Sequence, residues 1–499
     1  MASNPGVLYE WPWANLGSFK YLLLAPFVIA AVTGKDDADN WAWHMMVITV
    51  LRYIVAQIFV SLSRIHALTK HTRIQANGIQ FKQIDREDHW DDFFILQLYV
   101  ATIVHKLPYL GYSDFPLYNS KGLWQLLMFH VGPAEFLYYW LHRALHHHYL
   151  YSRYHSHHHA SFVPEPITGS VHPFAEHIMY TAVFAIPLLG PFFMGGASIS
   201  MFYAYLIGFD IMNCIGHCNF EFFPRWFMSI PGMKYLIYTP SFHSLHHSRV
   251  HTNFCLFMPV YDHMFGTVDK SSDVLYERSI SGKAVPISAP DVVFMGHGTT
   301  LLSAFHAPFA LRSFSSRPFE EKWWMRPMWP LCFVLAVVLR VFGRAYTHDR
   351  HRLRKLKLET WVTPAFAIQF FFKGQWSWIN QKIEDAILEA DRSGVKVVGL
   401  GALNKNEALV RDEMDVRDTS GTSGSRSCLL SLSYHELLTI SFVLCLLLCA
   451  FCVYIVRLHH SGVTRVCGIM LDHLALYMCY NRMVADCYLL KNTQTFEFE

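Results

Sequence analysis

The stretch "WAWHMMVITVLRYIVAQIFVSL" at 41–62 carries Arg52 as its only formal charge. A helix needs roughly 20 largely apolar residues to cross a bilayer, and this run meets that length. Three more runs resemble it: "YLLLAPFVIAAVTG" (21–34), "FFILQLYVATIVHKLPYLGY" (93–112) and "LWQLLMFHVGPAEFLYYWL" (123–141). The first of these is the shortest. Charged residues make up only 16% of the 499-residue chain, against about 25% in soluble domains. Mean hydropathy is +0.21. Much of the chain therefore has no water to face. The predicted fold class is mainly α, a multi-span membrane helical bundle.

Loop charges orient it. The 35–40 loop is acidic, whereas 64–86 holds Arg64, Lys70, Arg73, Lys82 and Arg86. Positive-inside bias puts 64–86 in the cytosol, and two further crossings return residue 142 to that side. The apolar stretch 178–216 is interrupted by Pro187, Gly190, Pro191, Gly195 and Gly196. It is predicted to be a helical hairpin broken in that middle region, dipping in and returning. Residues 326–345 are apolar but contain Arg340, which suits interfacial or re-entrant placement as well as a crossing. An amphipathic helix followed by "VKVVGLG" near 377–404 reads as the truncated start of a Rossmann-like α/β unit, its strand buried. No nucleotide binding is predicted from this lone Gly-x-Gly.

Other classes are excluded. A net charge of +3 with no long basic run argues against nucleic acid. Seven of the eleven cysteines lie at or beyond Cys428, the remaining four are scattered with no CxxC pair among them, and the set does not read as a disulfide framework or zinc knuckle. The opening residues show no basic, apolar signal-peptide pattern. The expected organisation is N-terminal spans (1–122), a histidine-rich domain (123–325), an interfacial segment with an incomplete domain start (326–410), and a linker with an apolar Cys-rich tail (411–499). That tail could add one span at 435–458.

Sixteen of the thirty histidines fall between residues 142 and 263. "LHRALH" sets His142 and His146 four apart. "HSHHH" sets His155, His158 and His159 in an H-x-x-H-H pattern, and "SFHSLHH" repeats it with His243, His246 and His247. Positions i, i+3 and i+4 share one helix face, so such spacing converges imidazoles on a point. Eight rings exceed what one ion can hold. A pair of metals at a cytosol-facing cap is expected, with His217 in "NCIGHCNFE" a candidate ninth ligand. Imidazole suits several transition metals, and redox chemistry beside lipid favours iron that binds O2. Isolated histidines such as His44, His105 and His130 are expected to be packing residues. His147, His148 and His157 point off the shared face, while His172 and His177 are left open. Glu176, Asp210 and Glu221 either orient ligand imidazoles or serve as surface or capping groups.

The box order in a multi-span chain resembles the fatty acid hydroxylase/sterol desaturase superfamily of membrane di-iron enzymes. The stretches "EFLYYWLHRALHHHYLYSRYHSHHHASFVPEPITGSVHPFAEH", "YTPSFHSLHH", "PGVLYEWPWANLGSFKYLLLAP" and "QIDREDHWDD" look like the plant wax proteins of the Eceriferum/Glossy type. The resemblance runs from residue 1 to about 409. It implies conversion of very-long-chain fatty aldehydes to alkanes one carbon shorter, at the endoplasmic reticulum, for cuticular wax. It also implies two iron ions, O2 as co-substrate, and electrons from NAD(P)H through a cytochrome b5-type donor. Membrane lipid, other wax-synthesis subunits and a homodimer partner are implied as well. His142, His146, His155, His158, His159, His243, His246 and His247 carry over as di-iron ligands, joined by His217. Beyond about 410 the pattern departs, as from a retained intron or gene-model error. Two alternatives stand beside this one: a lipid or sterol hydroxylase or desaturase with the same metals, and a non-catalytic subunit of a wax-synthesis complex.

Overall fold

A computed structural model describes residues 4–33, 41–65, 69–76, 78–79, 87, 89–106, 115–282, 289–297, 344–353, 355–365, 367–401 and 404. The chain divides into units Met1–Leu429 and Leu430–Glu499, and every described residue belongs to the first. The apolar segment 326–343, the cysteine-rich tail and parts of the 64–86 loop, including 80–86, lie outside the described residues.

Three described helices are long and apolar enough to cross a membrane: Trp41–Arg64, Phe174–Phe193 and Ile199–Gly216. The run at 21–34 forms only the short helix Ala25–Thr33, entered through a 3-10 segment Ala14–Leu24. The run at 93–112 gives Asp92–His105, which at about 1.5 Å per residue falls short of a bilayer's apolar thickness. The fourth run becomes a composite rod, Ser120–Phe129 and Glu135–Leu145, joined by the π-turn His130–Ala134 around Pro133. Proline cannot donate to the ladder, so a local register change absorbs it without ending the rod. Trp124 and Met128 are exposed along its outer face.

The hairpin is present, and its break falls at Gly195 and Gly196, the last two of the five expected breakers. Pro187 and Pro191 sit inside the continuous helix Phe174–Phe193. Only 194–198 form the turn, where Gly195 takes a φ of 69° that favours glycine. The Gly196 backbone runs so close to Gly122 that a Cβ on Gly122 would lie 1.8 Å from the Gly196 carbonyl oxygen. Phe27, Trp41, Met45, Ile48, Leu126, Met201 and Phe202 interlock the spans.

A buried ion pair joins two of these spans. Arg52 Nε donates to Asp210 Oδ2 at 2.6 Å, and its Nη1 donates to Gln97 Oε1 at 2.7 Å. The guanidinium lies over Phe94, 4.2 Å from the ring centroid. Asp210 therefore braces the helices and orients no imidazole.

A small four-stranded sheet, ordered β2-β3-β1-β4, lies outside the helical part. Its strands are β1 (Val292–His297), β2 (Tyr346–Leu353), β3 (Leu356–Thr363) and β4 (Val397–Leu400). β1 pairs parallel with β3 and β4, and β2 pairs antiparallel with β3. Helix Trp376–Arg392 covers it through Ile379, Ile383 and Ala386. The "VKVVGLG" strand, expected to be buried, is instead the edge strand, with Val397 42% exposed. The α/β unit expected near 377–404 extends as far as this helix and β4. After Gly401, only Asn404 is described. The sheet draws strands from both sides of the 325/326 division.

Candidate metal centre

Four short segments bring the histidines together. The rod Glu135–Leu145 ends at the first box, with His142 in its last turn and His146 as its C-cap. The second box folds as a tight 3-10 helix, His155–Ala160. Helix Ile199–Gly216 delivers His217 at its C-cap. The third box is the helix Pro240–Arg249. It starts where it does because Pro240 is preorganised for a first turn and Thr239 Oγ1 accepts from the Phe242 N–H at 3.1 Å.

All nine rings named from the sequence are buried. They sort into two adjoining clusters, His142, His146, His155, His159 and His246 in one, and His158, His217, His243 and His247 in the other. Within each cluster the candidate ligand atoms lie within 4.8 Å of one another. The clusters touch where His159 and His247 approach, at 4.7 Å between centroids. Each H-x-x-H-H box is split. The i and i+4 rings of the second box join the five-ring cluster and its i+3 ring joins the four-ring cluster; the third box does the reverse.

Hydrogen bonds fix which nitrogen faces inward for six of the nine rings. The Nδ1–H groups of His142, His158, His217, His246 and His247 donate to the carbonyls of Phe254, Thr168, Asn213, Thr252 and Ser161, at 2.8–3.1 Å. His155 Nδ1 instead donates to Glu176 Oε1 at 2.6 Å. A ring that donates through Nδ1 keeps the Nε2 lone pair for another partner. His142 Nε2 and His155 Nε2 then face each other at 3.1 Å as two lone pairs in the neutral rings. That contact is repulsive unless a cation lies between them. His246 Nε2 and His247 Nε2 are buried with no hydrogen-bond partner, as are both ring nitrogens of His146. Buried polar atoms are nearly always paired, so the donor set fits metal ions. Burial also pushes the proton affinity of His246 down to about 3 and of His217 to about 4. Both rings are neutral donors at pH 7.

Residues around the clusters hold this frame. Asp262 accepts from the backbone N–H groups of Phe254 and Cys255, each at 2.8 Å, fixing the carbonyl that anchors His142. Glu135 Oε1 accepts from Phe257 N at 3.0 Å and ties the same segment to the rod. Neither carboxylate stood out in the sequence, because each acts on backbone of a distant segment. Glu221 accepts from the Ser241 N–H and hydroxyl at the start of the third-box helix. It is a cap and touches no imidazole. Burial pushes it up to about 7.

The spare histidines divide as well. His172 is buried, stacks on His158 at 4.2 Å and shares Glu176 with His155. The i, i+4 spacing of His172 and Glu176 was the sequence signal for that pair. His177 stacks on Phe93 and bonds the Ser170 carbonyl. His147 and His148 are exposed, and His157 bonds Glu87 away from the clusters. His105 stacks on Trp41, His44 meets the Tyr203 hydroxyl and His130 packs on Phe257.

Residues 127–267, which hold all nine cluster imidazoles, match the family model "Fatty acid hydroxylase". The chain is 44% identical to the very-long-chain aldehyde decarbonylases GL1-5 and GL1-4 of Oryza sativa subsp. indica, over 82% of its own length. It is also 44% identical to very-long-chain aldehyde decarbonylase CER1 of Arabidopsis thaliana, over 83% of its length. The matches cover 66%, 67% and 66% of these relatives, so the chain spans about two thirds of their length. No solved structure matches.

Proposed function

This chain belongs to the plant CER1/GL1 family of very-long-chain aldehyde decarbonylases, and on that premise we propose that it is a membrane di-iron aldehyde decarbonylase. Its substrate would be a very-long-chain fatty aldehyde and its product an alkane one carbon shorter, destined for cuticular wax. The observation that carries this reading is the pair of buried imidazole clusters, five rings and four, with inward-facing lone pairs.

His142, His146, His155, His159 and His246 would hold one iron, and His158, His217, His243 and His247 the other. When bound, the irons supply O2-dependent redox chemistry and Lewis acidity at the aldehyde carbonyl, drawing electrons from NAD(P)H through a cytochrome b5-type donor. The protein's part is positional. Carbonyl anchors on Nδ1 lock tautomer and ring angle, so little reorganisation accompanies metal loading. Burial keeps His217 and His246 unprotonated, and binding then needs no proton release from them near pH 7. Tyr138, Tyr180, Phe184, Phe209 and Phe257 form an apolar wall packed against the site. A wall of this kind keeps out water and accommodates an alkyl chain, whose burial is worth about 0.8 kcal/mol per CH2. The centre would lie at the edge of the endoplasmic reticulum membrane, facing the cytosol, where the substrate is dissolved in lipid; the three long apolar helices support a membrane setting. Other wax-synthesis subunits and a second copy of the chain are its expected partners.

The test is expression of the full chain in a host that makes no alkanes, supplied with very-long-chain aldehyde precursors and a cytochrome b5. Alkane one carbon shorter than the aldehyde, appearing only with iron-loaded protein, is the expected result. Accumulation of 2-hydroxy acids or unsaturated sterols would replace this reading with a hydroxylase or desaturase. Unaltered aldehyde together with bound iron would point to a non-catalytic subunit.

A further inference from the structure

The two clusters differ in one chemical respect. Each of the five carbonyl-anchored rings donates to a neutral group, but His155 donates to a carboxylate. Glu176 is fully buried, and its Oε1 collects His155 Nδ1 at 2.6 Å, His172 Nδ1 at 2.9 Å and Tyr180 Oη at 2.9 Å. Among the described residues, no other carboxylate has a hydrogen bond to a ring of either cluster.

His155, His172 and Glu176 lie close enough together to suggest a third ion site. Proton counting argues otherwise. A neutral imidazole has one lone-pair nitrogen, and His155 directs its Nε2 at His142 and His159, 3.1 and 3.2 Å away. Its Nδ1 therefore carries the proton, and so Glu176 is an acceptor. Two divalent ions would bring positive charge that neutral imidazoles cannot offset. A carboxylate bonded to the far side of a ligand ring raises that ring's basicity and places a negative charge one ring away from the ion. Only the five-ring cluster has this.

We propose that the two metal sites are inequivalent, with Glu176 acting as a positioning residue that makes the five-ring site the tighter one. This rests on the di-iron reading above. Tyr180 and His172 hold the carboxylate in place. The other oxygen, Oε2, is buried without a partner, an unfavourable arrangement for a buried carboxylate. The positive charge of an ion in the adjacent five-ring site would compensate for it.

The experiment measures metal, so it is independent of turnover. Full-length wild type and Glu176→Gln are purified in detergent, stripped, and titrated with cobalt(II), with ions per chain counted by elemental analysis. Wild type is expected to load in two steps of different affinity. Glu176→Gln is expected to weaken the tighter step about 10–100-fold and leave the weaker step unchanged. Tyr180→Phe should shift the same step in the same direction by less. Equal affinity for both ions in wild type, or equal weakening of both in Glu176→Gln, would overturn the inequivalence. If Glu176→Gln does not accumulate as folded protein, the two-step loading of wild type and the Tyr180→Phe shift still decide it. Wild type that binds no metal at all would defeat the di-iron reading itself.

Discussion

His246 and His247 are neighbours in the chain, yet they face different clusters, their rings 88° apart in orientation with centroids 5.8 Å apart. His246 is anchored on Thr252 and His247 on Ser161, which lie in separate loops. One helical turn thus contributes to both clusters.

Substituting either ring should therefore remove a different ion. His246→Ala and His247→Ala are each expected to abolish product and to lower bound iron from two ions to one per chain. X-ray absorption should show different residual coordination in the two variants. His148→Ala, altering an exposed ring, should change neither quantity. Equal damage from all three would remove the distinction between cluster and surface histidines.

Gly169 lies against the four-ring cluster. A Cβ there would fall 2.7 Å from His217 Nδ1 and 2.7 Å from Asn213 Nδ2. Gly169→Ala is expected to displace His217 and weaken metal binding at that cluster, with about 1–3 kcal/mol of lost stability from overpacking. Iron content and thermal unfolding in detergent measure the two effects separately.

Acid should destabilise the metal-free protein through these rings. His217 and His246 have folded values of about 4 and about 3, below the roughly 6.5 of an unfolded histidine. The unfolded state then binds more protons once pH drops below about 6.5. Stability is complete above that point and falls by up to ~1.4 kcal/mol per pH unit for each ring, down to about pH 4 for His217 and lower for His246. Chemical denaturation of stripped protein between pH 7.5 and 5 should show the loss. Metal-loaded protein should resist it, because a bound ion competes with the proton.

Asp210→Asn should be more damaging than removal of both partners. The single change leaves the Arg52 guanidinium buried without its counter-charge, costing about 3–5 kcal/mol. The paired change Arg52→Leu with Asp210→Leu removes both charges from the bundle, and much of that loss should be recovered. Unfolding midpoints of the three proteins check the order.

Parts of this protein follow from composition and spacing alone. The Trp41–Arg64 span is legible because lipid demands an unbroken apolar helix and leaves little freedom. Eight of the nine clustered imidazoles are legible because rings that converge from short elements recur at i, i+3 and i+4, whereas His217 was marked only by its place at the hairpin's return. Of the four strands only β4 was legible, in "VKVVGLG". "YTHDRHRL" alternates too weakly to mark β2, and β1 finds its partners some sixty and a hundred residues away. Of the five expected breakers only Gly195 and Gly196 end the helix, because helix packing holds it intact through Pro187 and Pro191, where local preference would end it.

The order of residues thus determined which side chains could bind metal and which segments could enter lipid, since both depend on chemistry carried by neighbours in the chain. The folded arrangement alone decided how the rings divide between two centres, which nitrogen six of the rings turn inward, and that Glu176 stands behind one centre. Those properties depend on carbonyls and a carboxylate contributed by distant segments, and no local pattern records where such groups will meet.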